Sequence, residues 1–321
     1  MVAIIRPMRP EDAEEVSAVD AAAFGAWVKQ LRGEAADALP RRTRANILVR
    51  LEKDPPGCFV AEEEGRLVGF IFTTTWGSVG WFGPFAVLPA DQRQGIGRQL
   101  IAASVDYMDR QGCRLIGLET MPESPNNVGL YLRQGFQCRF LTLSLAKVLE
   151  RPAVEPLPVT RWSTAAPETQ ARWLAELRQA SDQIYPGLDY TKDIDAPVRH
   201  GLGEALVLTA GETAVGVSSI WLASNRQGIG DERGSVQVLF LRPSRPSAER
   251  FRALLAATEH FAHAQGKTLL AVPVNTGHRW AATQLLHWGY RVQGAMVRMV
   301  RQGMDDRLPD KGIVELSRWA G

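Results

Sequence analysis

Val87-Leu88-Pro89-Ala90-Asp91-Gln92-Arg93-Gln94-Gly95-Ile96-Gly97-Arg98 reads as a strand that runs into a glycine turn and straight on into a helix. Consecutive backbone N–H groups at a helix start point outward, and the helix dipole favours an anion there. Gly95 and Gly97 let the oxygens of such an anion approach the main chain without a Cβ in the way. Arg93 and Arg98 add positive charge suited to a polyphosphate. No Gly-Lys-Ser/Thr follows, so the turn is not a Walker A loop. The third glycine of a dinucleotide fingerprint is also missing.

Working outward, the flanking sequence alternates strands and helices. Residues 3–5 read as a strand, and Pro10-Glu11-Asp12 opens a helix that stays apolar through Phe24. Residues 58–61 and 67–73 form a hairpin about Glu64-Gly65. The helix after the glycine turn runs over 95–111, with Gly112 placed as its left-handed cap. A strand follows over 115–119. Ser124-Pro125 then starts a second helix as N-cap and first residue, and that helix ends at Gly135. The segment between about 26 and 44 reads as a loop.

The second half repeats the first. Adding 154 to Pro89, Leu100, Gly112, Gly135 and Phe136 lands on Pro243, Leu254, Gly266, Gly289 and Tyr290. Upstream the offset drops to 147, pairing Gly69 with Gly216, so the second copy has about seven extra residues between its third and fourth strands. The predicted organisation is a first domain over 1–149, a Pro-rich linker over 150–159 and a second domain over 160–321.

Three motifs in order now carry a resemblance. Gln92-x-x-Gly95-x-Gly97 resembles the [QR]-x-x-G-x-[GA] motif of the GNAT (GCN5-related) N-acetyltransferase superfamily. Leu130-Tyr131-x-x-x-Gly135-Phe136 is similar to its second signature, and Ile5-Arg6-Pro7-x-x-Pro10-Glu11-Asp12 to its opening. The resemblance is close over about 1–147 and topological beyond. It implies an α/β fold of two tandem GNAT-like domains, each a mixed, mostly antiparallel sheet flanked by helices. It also implies an acetyl-CoA cosubstrate, no metal, and a primary amine acceptor attacking directly in a ternary complex. The pyrophosphate would rest on Gln92, Arg93, Gln94, Gly95, Ile96, Gly97 and Arg98. The pantetheine arm would lie along Phe85, Ala86 and Val87, with a backbone N–H near Val87 polarising the thioester carbonyl.

Tyr131 is the candidate to assist departure of the thiolate, against packing of its ring on the sheet. Glu119 is the candidate base, acting through water, against a solvated acid at a strand end. Relatives often carry Asn seven residues before the Tyr. Here Ser124 stands there and reads as a helix cap, with Asn127 as the substitute contact. Trp76 and Trp81 read as core. In the second copy the turn positions become Pro246, Glu249 and Phe251, and Leu285 replaces the tyrosine. That copy reads as degenerate. Asn225-Arg226-Gln227-Gly228-Ile229-Gly230 imitates the motif but precedes no apolar helix, so it reads as a hairpin loop. Two rival functions remain: a non-catalytic coenzyme A-binding regulatory or scaffolding protein, and an acyltransferase with a non-acetyl donor.

Composition narrows the partners. The 321 residues are 45% hydrophobic and 22% charged with net charge +2, and no Lys/Arg block gives a nucleic-acid footprint. Cys58, Cys113 and Cys138 form no CxxC, which speaks against a zinc ribbon or a disulfide framework. His260 and His263 lack a third ligand for a metal. No apolar run reaches the ~18 residues of a membrane span. The expectation is a cytoplasmic enzyme without nucleic-acid or membrane partners, with a homodimer as one arrangement.

Overall fold

The computed structural model describes residues 3–33, 38–150, 159–243, 248–306 and 313–317. The Pro-rich stretch 151–158 and Pro246 therefore lie outside the described residues. The first half runs β1 (Ile4–Pro7), α1 (Ala13–Arg32), α2 (Arg44–Lys53), β2 (Phe59–Glu63), β3 (Arg66–Trp76), β4 (Val79–Val87), α3 (Ile96–Arg110), β5 (Leu115–Thr120), α4 (Pro125–Arg133) and β6 (Phe136–Val148). The second runs β7 (Thr160–Arg161), α5 (Pro167–Ile184), α6 (Lys192–Arg199), β8 (Gly203–Ala210), β9 (Thr213–Trp221), β10 (Arg233–Leu241), α7 (Ala248–Ala264), β11 (Leu269–Asn275), α8 (Arg279–His287), β12 (Arg291–Arg301) and β13 (Glu315–Ser317).

The repeat read from the sequence is present in the fold. An offset of 154 carries β4 onto β10 and α4 onto α8 without a residue's error. Gly112 and Gly266 adopt φ of 74° and 78°, and Gly135 and Gly289 of 81° and 90°. A Cβ is disfavoured at such angles, so each helix ends where a glycine permits the left-handed cap.

One expectation fails. The segment expected as a loop over about 26–44 contains the end of α1 and leads into α2, a helix that the sequence reading did not assign. Thr43 caps α2 by accepting from the Asn46 amide at 3.2 Å, and Ile47, Val49 and Leu51 are buried. Gly25 sits within α1, and a Cβ added there would come 3.5 Å from Leu39 Cβ, an ordinary contact distance.

All thirteen strands join one sheet in the order β1-β2-β3-β4-β5-β12-β6-β11-β10-β9-β8-β7, with β13 also paired to β10. Among the described residues only β4–β5 and β10–β11 are parallel. The final long strands are exchanged: β12 of the second half lies between β5 and β6, and β6 lies between β12 and β11. Each half thus completes the other's sheet. A shared core packs Trp76 and Trp81 with Trp173, Tyr190, Phe240 and Val300, so both tryptophans are core residues as read. Asp54 on the first half accepts from Lys192 of the second at 2.9 Å and from Tyr107 at 2.9 Å. No helix among the described residues is long and apolar enough to cross a membrane.

Candidate active site

β4 starts paired to β5, from Val79↔Leu115 to Phe82↔Leu118, and the pairing then stops. On the other side β3 stays with β4 as far as Gly69↔Val87. Between Thr73↔Phe82 and Ile71↔Phe85, two residues of β4 (Gly83 and Pro84) oppose one of β3. This bulge turns the strand away from β5, and Pro84 has no N–H to continue a ladder. The result is a wedge with its apex at Phe82 and Leu118. Along Phe85, Ala86 and Val87 the outer edge of β4 pairs with no strand among the described residues. Such an edge accepts an extended ligand.

The wedge leads to the glycine turn. The chain leaves β4 through a short 3-10 turn at Pro89–Asp91 and enters α3 at Ile96. Arg93 and Gly95 adopt φ of 65° and 86°. Gln99 N bonds Gly95 O at 3.1 Å, so the amides of Ile96, Gly97 and Arg98 precede the first intrahelical bond. At Gly95 an added Cβ would find open space, whereas at Gly97 it would meet the Phe85 ring at 3.0 Å. Gly95 thus serves the turn through its backbone angle, whereas Gly97 keeps a close approach to the Phe85 ring free of crowding. Gln92 uses its amide to donate to Val87 O at 3.0 Å, fixing the strand to the turn.

Wedge and turn open into one cavity of about 1200 Å³. Phe85, Ala86, Val87, Gln92, Arg93, Gln94, Gly95, Gly97, Arg98 and Asn127 all line it. Ile96 does not: its side chain is buried in the core, leaving its amide as the part that faces the turn. The charged residues of the described lining are Arg93, Arg98 and Arg133, all cationic, which suits an anionic ligand. Ser124 sits at the N-cap position of α4 as read, but its side chain makes no capping bond and the residue belongs to the lining of this cavity. The lining also includes Phe24, Trp27 and Gln30 of α1 with Met121; Trp27 and Gln30 fall in the segment read as a loop and stand on a helix instead. The i, i+3 spacing of Phe24 and Trp27 was the available signal for a helical lining, hidden by ending the first helix near Phe24.

Tyr131 and Glu119 lie elsewhere. The Tyr131 ring packs on Phe82 and Phe136, at 5.9 and 6.5 Å between centroids, beside the apex of the wedge. Burial pushes its phenol well above the ordinary value, so it is protonated at neutral pH. Glu119 is not the solvated strand-end acid pictured as its plainer role. Its side chain is 2% exposed, accepts from Thr142 Oγ1 at 2.5 Å and pairs with Arg298 of the exchanged strand at 3.7 Å. Arg298 also stacks over Trp81 and bonds Asp306 at 3.1 Å. Glu119 is therefore engaged in the joint between the halves.

The corresponding positions of the second half are arranged differently. β10 separates from β11 after Ser235↔Ala271, making the same wedge. Here β13 fills it, pairing Val238↔Ser317, Leu239↔Leu316 and Phe240↔Glu315. Phe251, at the position of Gly97, is fully buried against Trp280 and Trp288. Leu285, at the position of Tyr131, is core. His278, at the position of Ser124, is buried and bonds Glu315 of β13 at 3.1 Å, while Tyr190 donates to the same carboxylate at 2.6 Å. The imitation motif at 225–230 lies in the connection between β9 and β10, as read. No group of three or more His, Cys, Asp or Glu side chains suited to a metal occurs among the described residues.

Comparisons with known proteins agree with this geometry. The model of the Acetyltransferase (GNAT) family matches residues 24–136. A mycothiol acetyltransferase of Pseudarthrobacter chlorophenolicus is 29% identical over 143 residues, covering 41% of this chain and 42% of the relative. The chain thus spans about two fifths of the length of that curated relative. Among solved structures, a putative acetyltransferase of Pyrococcus horikoshii superposes with a TM-score of 0.69 at 18% identity, over 99% of this chain and 95% of that one. A tandem GNAT protein from the clavulanic acid biosynthesis pathway superposes with a TM-score of 0.57 at 16% identity, over 93% of this chain and 98% of that one. At these identities the structural matches establish the shared fold.

Proposed function

We propose that the protein transfers an acetyl group from acetyl-CoA to a primary amine, a reading supported by the match of residues 24–136 to the GNAT acetyltransferase family model and by the fold shared with a tandem GNAT protein. The active site belongs to the half spanning 1–149, and 160–321 is its degenerate partner joined through 150–159. The observation that carries this reading is the contrast between the two wedges. One opens into the cavity of the glycine turn, and the other is filled by a strand of the chain itself. β13 is an internal example of an extended segment seated where a pantetheine arm would lie in the first copy.

The residues fit the cosubstrate. The amides of 96–98 and the guanidinium groups of Arg93 and Arg98 would hold the pyrophosphate, at a helix start whose dipole favours it. The free edge at Phe85–Val87 would take the arm, and a backbone N–H there would polarise the acyl carbonyl. Acetyl-CoA supplies the activated acyl group and a thiolate leaving group. An arm running from the turn along β4 ends at the apex, beside Phe82 and hence Tyr131. The buried phenol keeps its proton until a developing thiolate can take a hydrogen bond or the proton itself. The amine attacks as its neutral form, from the side walled by Phe24, Trp27 and Met121.

An acetyl-transfer assay against tyramine, benzylamine, spermidine and glycine methyl ester tests the reading. Wild type should acetylate at least one of them. Tyr131→Phe should lower kcat by about 100-fold or more, with acetyl-CoA affinity unchanged within twofold. Binding of acetyl-CoA without transfer to any amine supports the scaffolding rival instead.

A further inference from the structure

The imitation motif of the second half packs against the first half beside the helix that carries part of the cavity lining. Its loop reaches across to the segment joining α1 and α2, and the two make a short antiparallel bridge at Arg42↔Arg226. Thr43 N donates to Asn225 O at 3.2 Å and Gln227 N to Arg41 O at 2.9 Å. The Asn46 side chain donates to Asn225 Oδ1 at 2.9 Å. Arg226 donates to Pro40 O at 2.7 Å and holds Asp20 at 2.7 Å, and the other oxygen of Asp20 accepts from Arg42 at 2.8 Å.

Asp20 is fully buried, so this carboxylate bridges two guanidinium groups from opposite halves in a low-dielectric setting. It lies on α1 one turn before Phe24, and side chains at i and i+4 share a helix face. The clamped segment also carries Leu39, whose Cβ lies 3.5 Å from where a side chain on Gly25 would begin. Gly25 is flanked by Phe24 and Ala26, both in the cavity lining. Two links therefore lead from Arg226 to the cavity-lining residues of α1: its ion pair with Asp20 on that helix, and its hold on segment 38–43, whose Leu39 lies beside Gly25.

We propose that Arg226 is a positioning residue for the acceptor wall: the degenerate half holds α1 and segment 38–43 in the register that sets where the amine can sit. The inference rests on the acetyl-transfer reading above. It gives the second copy a task that its own wedge, filled by β13, no longer performs. Arg226 touches no cavity residue directly, so it acts through α1 and leaves the glycine turn alone.

Deuterium exchange reads the clamp directly. In Arg226→Ala, exchange across 38–46 and 23–30 should rise tenfold or more, with 92–98 as in wild type and acetyl-CoA affinity within twofold. Arg226→Lys keeps the cation beside Asp20 and should recover most of the protection. Asn225→Ala removes the tie to Asn46 but keeps the ion pair, and should raise exchange at 38–46 by a smaller factor. For the amine that wild type acetylates best among the four above, KM should rise tenfold in Arg226→Ala with kcat within threefold. Unchanged exchange over 23–30 overturns the proposal. So does a loss of acetyl-CoA affinity equal to the rise in amine KM. Failure of wild type to bind acetyl-CoA counts against the acetyl-transfer reading alone, because the exchange data still report the clamp.

Discussion

Alanine at Gly95 and alanine at Gly97 separate two reasons for a glycine in the same turn. At Gly95 φ is 86° and the added methyl would meet nothing nearer than Arg98 Nη2 at 3.8 Å. The penalty there is purely conformational, about 1–2 kcal/mol for an L-residue held in the left-handed region. A free variant relaxes the turn to avoid that cost, and binding must restore it. By the tenfold-per-1.4 kcal/mol rule, affinity for coenzyme A falls about 5- to 30-fold. Gly97 lies inside α3, where alanine gains up to about 1 kcal/mol of helix propensity. Its methyl would press the half-buried Phe85 ring, 3.0 Å away, which must give by a few tenths of an ångström. The opposing effects leave affinity within about threefold of wild type. Calorimetry with coenzyme A on the three proteins measures both numbers. Equal losses at the two positions, or a larger loss at Gly97, would refute the argument that the left-handed angle is what the turn needs.

Two further outcomes follow from buried charge. Glu119→Gln removes the charge facing Arg298 but leaves Asp306 on that guanidinium, so stability should fall by about 1–3 kcal/mol in urea unfolding, less than for a buried ion left unpaired. Turnover should stay within about threefold. A 100-fold loss of kcat at unchanged stability would instead make Glu119 the base. Burial alone would raise the Glu315 carboxyl, but His278, with Ser317 and Tyr190, holds it below the ordinary 4.5. A depressed carboxyl adds stability above about pH 4.5 and loses it as pH falls through the folded value. Urea midpoints should therefore drop below that pH in wild type, and Glu315→Gln should flatten the dependence. An unchanged acid slope in the variant would remove β13 from the account of acid lability.

What was legible in the sequence was local. The glycine turn and the caps at Gly112 and Gly135 each depend on residues a few positions apart, and the repeat is the recurrence of such local patterns at an offset of 154. α2 escaped because Thr43 and the apolar residues Ile47, Val49 and Leu51 follow an interval that reads as loop, and the propensity of ten residues is a weak signal. The exchange of β6 and β12 has no local signature at all, since any strand with the right alternation can take either place. Glu119 was misread for the same reason: its partner Arg298 arrives on the exchanged strand. β13 is three residues long, and only the empty wedge of its own half explains why Glu315-Leu316-Ser317 pairs at all. The imitation motif at 225–230 was recognised as a loop, but its seat on segment 38–43 depends on how the halves pack.

The central claim is that one copy holds the cosubstrate and the other has closed its slot. Titration of acetyl-CoA into wild type and into Gly97→Glu tests it most directly, because the new carboxylate enters beside Phe85 and faces the phosphate seat. The account predicts one site per chain in wild type and none in the variant. Two sites, or one site that survives Gly97→Glu, would contradict it.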